Sequence, residues 1–310
     1  MFFTKTDSKT RQLIKGKKDN FLVRIPCPIC GNERLRRISR KGQFGLPCFV
    51  SICPSDGLVF LSPRWTETRY NYFYTTEYDD YYRPTIFSEE TDDSKYKRIK
   101  AISLRLKDLD LIHSKKSVLD VGAGMGWSLQ WIGRNYPSFN KLCAIESSGH
   151  CIRNIEQVVG ADVISRDIES DWTSKDFDLV IMRHVLEHLL YPIESLRKIG
   201  ESLSHIGILY IAVPDMMNPR GSLKRYWFRV AHTFYFSEAT LNRIASMANL
   251  VPIIIKREDS ELWGVFRKAT EMSTHQYPCD RKVYEEQLKI IKSYPKQYYW
   301  KKIRNSLRLR

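Results

Sequence analysis

Ser117-Val-Leu-Asp120-Val-Gly122-Ala-Gly124-Met-Gly126-Trp127 is the stretch whose reading decides the fold. Ser117 to Leu119 is strand-like, Trp127 to Arg134 is helix-like, and the glycines lie between them. Glycine lacks a Cβ, so the backbone can turn sharply and approach a ligand closely, and the helix N-terminus that follows offers N–H groups to an anion. The stretch therefore reads as a loop for a nucleotide-type cofactor. A dinucleotide fingerprint G-x-G-x-x-G requires glycine at 127, where Trp127 stands. Here the third glycine follows the second by two residues and an acid, Asp120, ends the strand, which argues against NAD.

Further strand-like runs follow in order. Lys141 to Ile145 ends in Glu146, twenty residues after Gly126, where a doubly wound sheet places an acid on ribose hydroxyls. Ala161 to Ser165 ends near Asp167-Ile168. Asp176-Phe-Asp-Leu-Val-Ile-Met-Arg183-His184-Val-Leu-Glu187-His188 reads as a fourth strand and the segment after it, and Ile208 to Val213 with Pro214-Asp215 as a fifth. His232-Thr-Phe-Tyr-Phe-Ser237 then precedes a helical run from Ala239. Taken together, D-x-G-x-G-x-G and these ordered segments resemble the class I S-adenosylmethionine (SAM)-dependent methyltransferases. That resemblance implies an α/β fold with a doubly wound, mostly parallel, seven-stranded Rossmann-like sheet. It assigns Asp120, Gly122, Ala123, Gly124 and Gly126 to the amino-acid end of SAM, Glu146 to the ribose and Asp167 with Ile168 to the adenine, and it places Arg183 among the cofactor-binding residues. Glu187-His188 is, on the same resemblance, a packing or cofactor-side feature.

Upstream, Cys27-Pro-Ile-Cys30-Gly31 is a C-x-x-C knuckle, and Cys48 and Cys53 follow after a gap of hairpin length. Four thiols within 27 residues suggest tetrahedral zinc. The fourth ligand is open between Asp56 and Cys48. Cys53-Pro-Ser-Asp56-Gly57 outlines a second knuckle, whereas Cys48 is the softer donor. A strand over 46–52 puts Cys48 and Cys53 on opposite faces, because their separation is odd, and this favours Asp56 with Cys27, Cys30 and Cys53. Gly57-Leu-Val-Phe-Leu-Ser-Pro63-Arg64 and the tyrosine-rich stretch behind it resemble the connector of bacterial methyltransferases that carry an N-terminal zinc-ribbon-like module. Those enzymes act in the biosynthesis of surface glycans or sugar derivatives, including deoxysugar C-methylation, which implies a small-molecule or lipid-linked sugar acceptor methylated at a hydroxyl or a sugar carbon. Asp56 departs from their pattern, which has cysteine in the second knuckle.

Composition sets outer bounds. Lys and Arg total 50 against 35 Asp and Glu, a net charge of +15, so an anionic partner or surface fits the chain. No apolar run approaches the roughly 20 residues that span a bilayer, and Met1 to Leu13 lacks the apolar stretch of a signal peptide. A cytoplasmic protein is expected, with peripheral contact at the inner membrane surface as a further option. The organisation reads as a basic arm (1–20), a zinc-ribbon-like module (21–66), a tyrosine-rich connector (67–93), a methyltransferase domain (94–269) and a basic helical tail (270–310). Arg281 to Arg310 holds ten Lys or Arg against two Glu, with Tyr298, Tyr299 and Trp300 interleaved. Such a helix suits an anionic membrane surface, or it packs on the domain through Tyr284, Leu288 and Ile291.

Removing a proton from a sugar hydroxyl calls for a general base, and histidine is the usual choice. His184 at the end of the fourth strand and His232 in the segment over the acceptor are the alternatives, with Tyr74, Tyr78 and Tyr82 as a roof. An RNA methyltransferase is a competing reading, since a zinc ribbon and a high net charge form a nucleic-acid footprint. Against it, Arg183-His184-Val-Leu stands where an N/D-P-P-[YFW] motif would follow the fourth strand. A non-catalytic scaffold is the third reading, and the intact glycine loop and Glu146 argue against it.

Overall fold

A computed structural model describes residues 21–78, 92–113, 115–270 and 279–308. The basic arm and Tyr82 lie outside the described residues. The N-terminal unit holds β1 (Leu22–Val23), β2 (Arg36–Lys41), β3 (Pro47–Ile52), β4 (Val59–Leu61) and β5 (Arg64–Trp65). There follow β6 (Ser117–Val121), β7 (Lys141–Ile145), β8 (Asp162–Ser165), β9 (Phe177–Arg183), β10 (Leu203–Pro214), β11 (Phe234–Tyr235), β12 (Leu250–Glu258) and β13 (Glu261–Lys268). Seven of these form one sheet in the order β12-β13-β10-β9-β6-β7-β8. Strands β8, β7, β6, β9 and β10 pair in parallel, and β13 runs antiparallel to both β10 and β12. This is the doubly wound, mostly parallel sheet that the glycine loop implies. From β6 the chain first adds β7 and β8 on one side and then β9 and β10 on the other, so the carboxyl ends of β6 and β9 open the crevice where such sheets bind ligands.

Side-chain alternation explains why these segments are strands. Leu119, Val121, Val180, Met182, Leu209, Ile211 and Val213 feed one core, while Val118, Leu179, Ile181, Ile208, Tyr210 and Ala212 feed a second on the opposite face. Both faces are apolar because both are covered. The helix Asp92–Asp108 covers the second core with Tyr96, Ile99, Ile102 and Leu106, spaced by three and four residues. Helices Pro192–Ser202 and Glu238–Met247 cover the first with Leu196, Ile199, Leu241 and Ile244. One boundary departs from the hydropathy pattern: β10 starts at Leu203 rather than Ile208, with a register shift between those residues. Half-buried Ser204 and exposed His205 interrupt the apolar run and hide that start from a reading of hydropathy.

The N-terminal sheet has the order β11-β4-β3-β2. Its edge strand β11 comes from far down the chain and pairs antiparallel with β4, Phe234 opposite Phe60 and Tyr235 opposite Val59. Leu58, Phe60, Phe234 and Phe236 then join Cys27 and Cys53 in the first core, whereas Val59, Leu61, Tyr235 and Cys48 face a third core on the other side. The cysteine unit thus shares its interior with the central sheet. A fully buried phenylalanine such as Phe60 carries about 3–5 kcal/mol in this junction.

The helix Arg281–Arg308 closes the molecule. Ile291 is buried in the third core, with Tyr284, Leu288 and Tyr294 packed against it. Buried Gln287 donates from Nε2 to Ser237 Oγ (3.1 Å), and Arg36 donates to the Tyr284 hydroxyl (3.1 Å). Beyond Pro295, Tyr299, Trp300 and Ile303 are exposed. Among the described residues no helix is long and apolar enough to cross a membrane.

Candidate active site

The chain leaves β6 through three left-handed glycines, with φ of +69° at Gly122, +56° at Gly124 and +77° at Gly126. A Cβ on Gly122 would lie 2.6 Å from Val185 Cγ2, so the loop rests directly on the segment that follows β9. At Gly124 a Cβ would meet nothing within 4 Å, which leaves an open cradle beside the backbone. Gly126 then serves as N-cap of the helix Trp127–Asn135. Glu146, buried at the end of β7, fixes the other side of this cradle. Its Oε2 accepts from the Gly124 N–H (2.7 Å) and its Oε1 from the Ser148 N–H (2.9 Å). Asp120 lies buried beneath the loop. Burial pushes its carboxyl up to about 7, opposed by a hydrogen bond from Ser128 and reinforced by the charge of Glu146.

The other residues expected at the cofactor fall into two groups. Asp167 sits exposed past the end of β8, its Oδ1 accepting from the Glu169 N–H (2.8 Å), while the Ile168 side chain is buried in the first core. Both lie along the same carboxyl edge as Glu146, whose N–H donates to the Ser165 carbonyl (3.2 Å). Arg183 is directed elsewhere: its Nη2 donates to Glu261 Oε2 (2.7 Å) at the start of β13. Ala123 remains in the loop and packs partly against the second core.

The two candidate histidines occupy opposite electrostatic settings. His184 takes a left-handed φ of +55°, its N–H donating to the Ala212 carbonyl (2.8 Å), and such strain in a non-glycine residue persists only where the surroundings hold it. Here they do: Nδ1 lies 3.2 Å from Glu187 Oε1 and Nε2 lies 3.1 Å from Glu261 Oε2. Burial works against a charge on this ring, yet the hydrogen bonds to Glu187 and Glu261 carry its pKa upward, so the imidazolium is favoured. Glu261 answers with a pKa lowered to about 2, against its own burial, by the His184 hydrogen bond and the Arg183 charge. His232 is the reverse case. It is buried, its Nδ1 has no hydrogen-bond partner among the described residues, and burial together with the charges of His188 and Arg229 drives its pKa well down. Its ring meets that of His188 edge-on at 4.7 Å. Tyr74 and Tyr78 wall the same spot, the Tyr74 hydroxyl lying 3.1 Å from His188 Nδ1. Glu187 and His188 are thus members of this cluster. Their adjacency is plain in the sequence, but the link to His232 is made by the fold.

The cysteines assemble on the flank of the first core. One donor atom from each of Cys27, Cys30, Cys53 and Asp56 lies within 4.8 Å of the others. Cys48 is absent from this group and is buried in the third core, on the other face of β3. The two turns repeat one hydrogen-bond pattern. The Cys27 N–H donates to the Asn32 carbonyl (3.0 Å) and the Gly31 N–H to the Cys27 carbonyl (2.8 Å); the Cys53 N–H donates to the Leu58 carbonyl and the Gly57 N–H to the Cys53 carbonyl (both 2.9 Å). Asp56 therefore occupies the position in the second knuckle that Cys30 holds in the first. Contact with Cys53 and burial push the Cys27 thiol up, and that same contact draws Cys53 down to about 7 against its burial.

The methyltransferase-domain family matches residues 94–253, just over half of the chain, and the chain belongs to that family. It is a SAM-dependent methyltransferase of class I. No curated protein matches its sequence significantly. Among solved structures it is similar to the 1,6-didemethyltoxoflavin-N1-methyltransferase of Burkholderia thailandensis with bound 1,6-didemethyltoxoflavin and S-adenosylhomocysteine, at 16% identity and a TM-score of 0.52, over 68% of this chain and 96% of that one. The plantazolicin methyltransferase BpumL, in complex with a monoazolic desmethylPZN analog and SAH, is similar at 15% identity and a TM-score of 0.50, over 64% of this chain and 93% of that one. At these identities the likeness is one of fold.

The buried acid under the loop has a measurable consequence. A raised aspartate pKa means that the folded chain holds this proton more tightly than the unfolded chain. Stability therefore falls as pH rises from about 3.8 through about 7 and stays lower above that window. Asp120→Asn removes this decline. Thermal melting at pH 8 is expected to rise by a few degrees while SAM affinity, measured by calorimetry, falls by about tenfold or more. A variant with the pH profile of the parent contradicts the assignment.

Proposed function

We propose that this enzyme methylates a hydroxyl group of a sugar or glycan-biosynthetic intermediate, with the acceptor seated beside Val185 at the His232 cluster. The observation that carries this reading is the buried His232, whose low pKa keeps it neutral and whose ring meets His188 edge-on beside Tyr74 and Tyr78, while the His188 N–H donates to the carbonyl of Val185, the residue on which Gly122 rests. Tyrosine faces are suited to packing against the apolar face of a sugar ring, and the resemblance of the connector to glycan-type enzymes agrees. SAM supplies a methyl group on a sulfonium, and its open cradle at Gly124 with the flanking acids fits that cofactor. Asp120 and the loop N–H groups would hold its amino-acid end and Glu146 its ribose. Much of the acceleration comes from holding acceptor and methyl group in line. His232 assists removal of the hydroxyl proton, whereas His184, engaged on both ring nitrogens, acts to hold Glu187 and Glu261 in place.

Zinc belongs to the same proposal. A buried carboxylate packed among three thiols is costly unless a cation neutralises it, and S₃O is a donor set that zinc accepts. Cys27, Cys30, Cys53 and Asp56 would hold the ion as a structural pin at the turn between β3 and β4.

Two outcomes follow. With a hydroxyl acceptor, His232→Ala is expected to lower turnover about a hundredfold or more at nearly unchanged SAM affinity, and His184→Ala to lower it less; full turnover in His232→Ala removes the role. For the pin, elemental analysis after gentle purification should find tightly held zinc that is lost from Cys53→Ser and Asp56→Ala and kept in Cys48→Ser. Loss from Cys48→Ser with retention in Asp56→Ala would show the opposite ligand set.

A further inference from the structure

The geometry points to a second metal site, a divalent transition-metal ion held by Glu187, His188 and His232 in the acceptor crevice. One donor atom of each residue lies within 4.8 Å of the other two. Two tethers bring these residues together across the fold. Thr233 Oγ1 shares its hydrogen between the Leu189 (2.5 Å) and Glu187 (3.0 Å) carbonyls, and the Tyr74 hydroxyl lies 3.3 Å from the Ala231 carbonyl. Two of the potential ligand atoms are orphaned. Glu187 is 1% and His232 7% exposed, yet Glu187 Oε2 and His232 Nδ1 have no hydrogen-bond partner among the described residues. Leaving a carboxylate oxygen and an imidazole nitrogen buried without partners is costly, and a cation held by these residues would supply one.

His188 completes the set. Its Nδ1 lies 3.1 Å from the Tyr74 hydroxyl. Its Nε2 lies 4.0 Å from Glu187 Oε1 and, in the tautomer with the proton on Nδ1, offers its lone pair to a metal. Anchoring the far N–H of a histidine in this manner is how proteins orient a metal ligand. Ligands bound at about 2.1 Å lie about 3–3.5 Å apart, which small side-chain rotations reach from the present spacing.

Two imidazoles and one carboxylate suit zinc, iron, cobalt or manganese better than magnesium or calcium, and three protein ligands leave positions open. An acceptor hydroxyl taken into an open position is acidified there. Its O–H bond would break with the proton passing to solvent, and the oxygen's electron pair would form the C–O bond as the methyl C–S bond breaks and its pair goes to the sulfonium sulfur. This rests on the acceptor-side reading of His232 and says how that residue assists: as a ligand.

The test is a titration of the chelator-stripped full chain with Co²⁺ alone, followed by absorption, with S-adenosylhomocysteine calorimetry on every variant as a check of the fold. Thiolate-to-cobalt charge transfer marks the cysteine cluster. About one further equivalent is expected without that band, lost from Glu187→Gln and His232→Gln and kept in His184→Gln and Cys48→Ser. The proposal is overturned if the parent takes up cobalt only with the thiolate band, a result that stands even where a variant does not fold, or if variants that still bind S-adenosylhomocysteine keep the second equivalent. Loss of turnover in His232→Ala without any such cobalt site would leave His232 as a direct base and remove the metal.

Discussion

Two residues of backbone, Phe234–Tyr235, hold the cysteine unit against the catalytic layer. As β11 they form the edge of the N-terminal sheet, and on either side of them the chain carries His232 and the helix Glu238–Met247. Because side chains alternate along a strand, Phe234 and Phe236 face the first core with Phe60 while Tyr235 faces the third with Val59. A slip by one residue would exchange those faces, so register is set by burial on both sides. The position of His232 is inherited from this pairing. The second cysteine knuckle leads directly into β4, and the C-terminal helix lies on it closely enough that a Cβ at Gly57 would meet the Tyr284 nitrogen at 2.8 Å. Knuckles, edge strand and tail thus act on one element.

Charge is divided within the crevice. On the side toward β13, Arg105 and Arg183 surround Glu261, and His184 joins it to Glu187. Both oxygens of Glu261 are paired there, and the strained histidine is clamped. Toward Tyr74 the polar atoms are buried and only partly satisfied. Partly satisfied polar groups cost stability, and enzymes carry such groups where substrate or metal completes them. The division explains why two histidines at the carboxyl edge of one sheet have opposite proton affinities, His184 above the ordinary value and His232 well below it.

Features written in local pattern were legible in the sequence. β7 occupies Lys141–Ile145 as its apolar run predicts, and the glycine loop and Glu146 follow from spacing and resemblance. The parity of Cys48 and Cys53 along β3 was enough to separate them onto different faces. What stayed hidden depends on distance along the chain. A two-residue strand such as β11 has no period to detect. Glu261 is 77 residues from His184, so neither the clamp nor the turn of Arg183 toward β13 leaves a local trace. Glu187-His188 was visible as a pair, but only the approach of His232 and Tyr74 gives it a chemical setting.

The central claim is that the loop after β6 and the acid after β7 form the SAM site. Isothermal titration of S-adenosylhomocysteine into the full chain, into Glu146→Ala and into Gly124→Val tests it most directly. The account predicts binding by the parent and affinity lower by about tenfold or more in each variant, since one loses an anchoring carboxylate and the other fills the cradle beside a left-handed backbone. Both variants binding like the parent would contradict it.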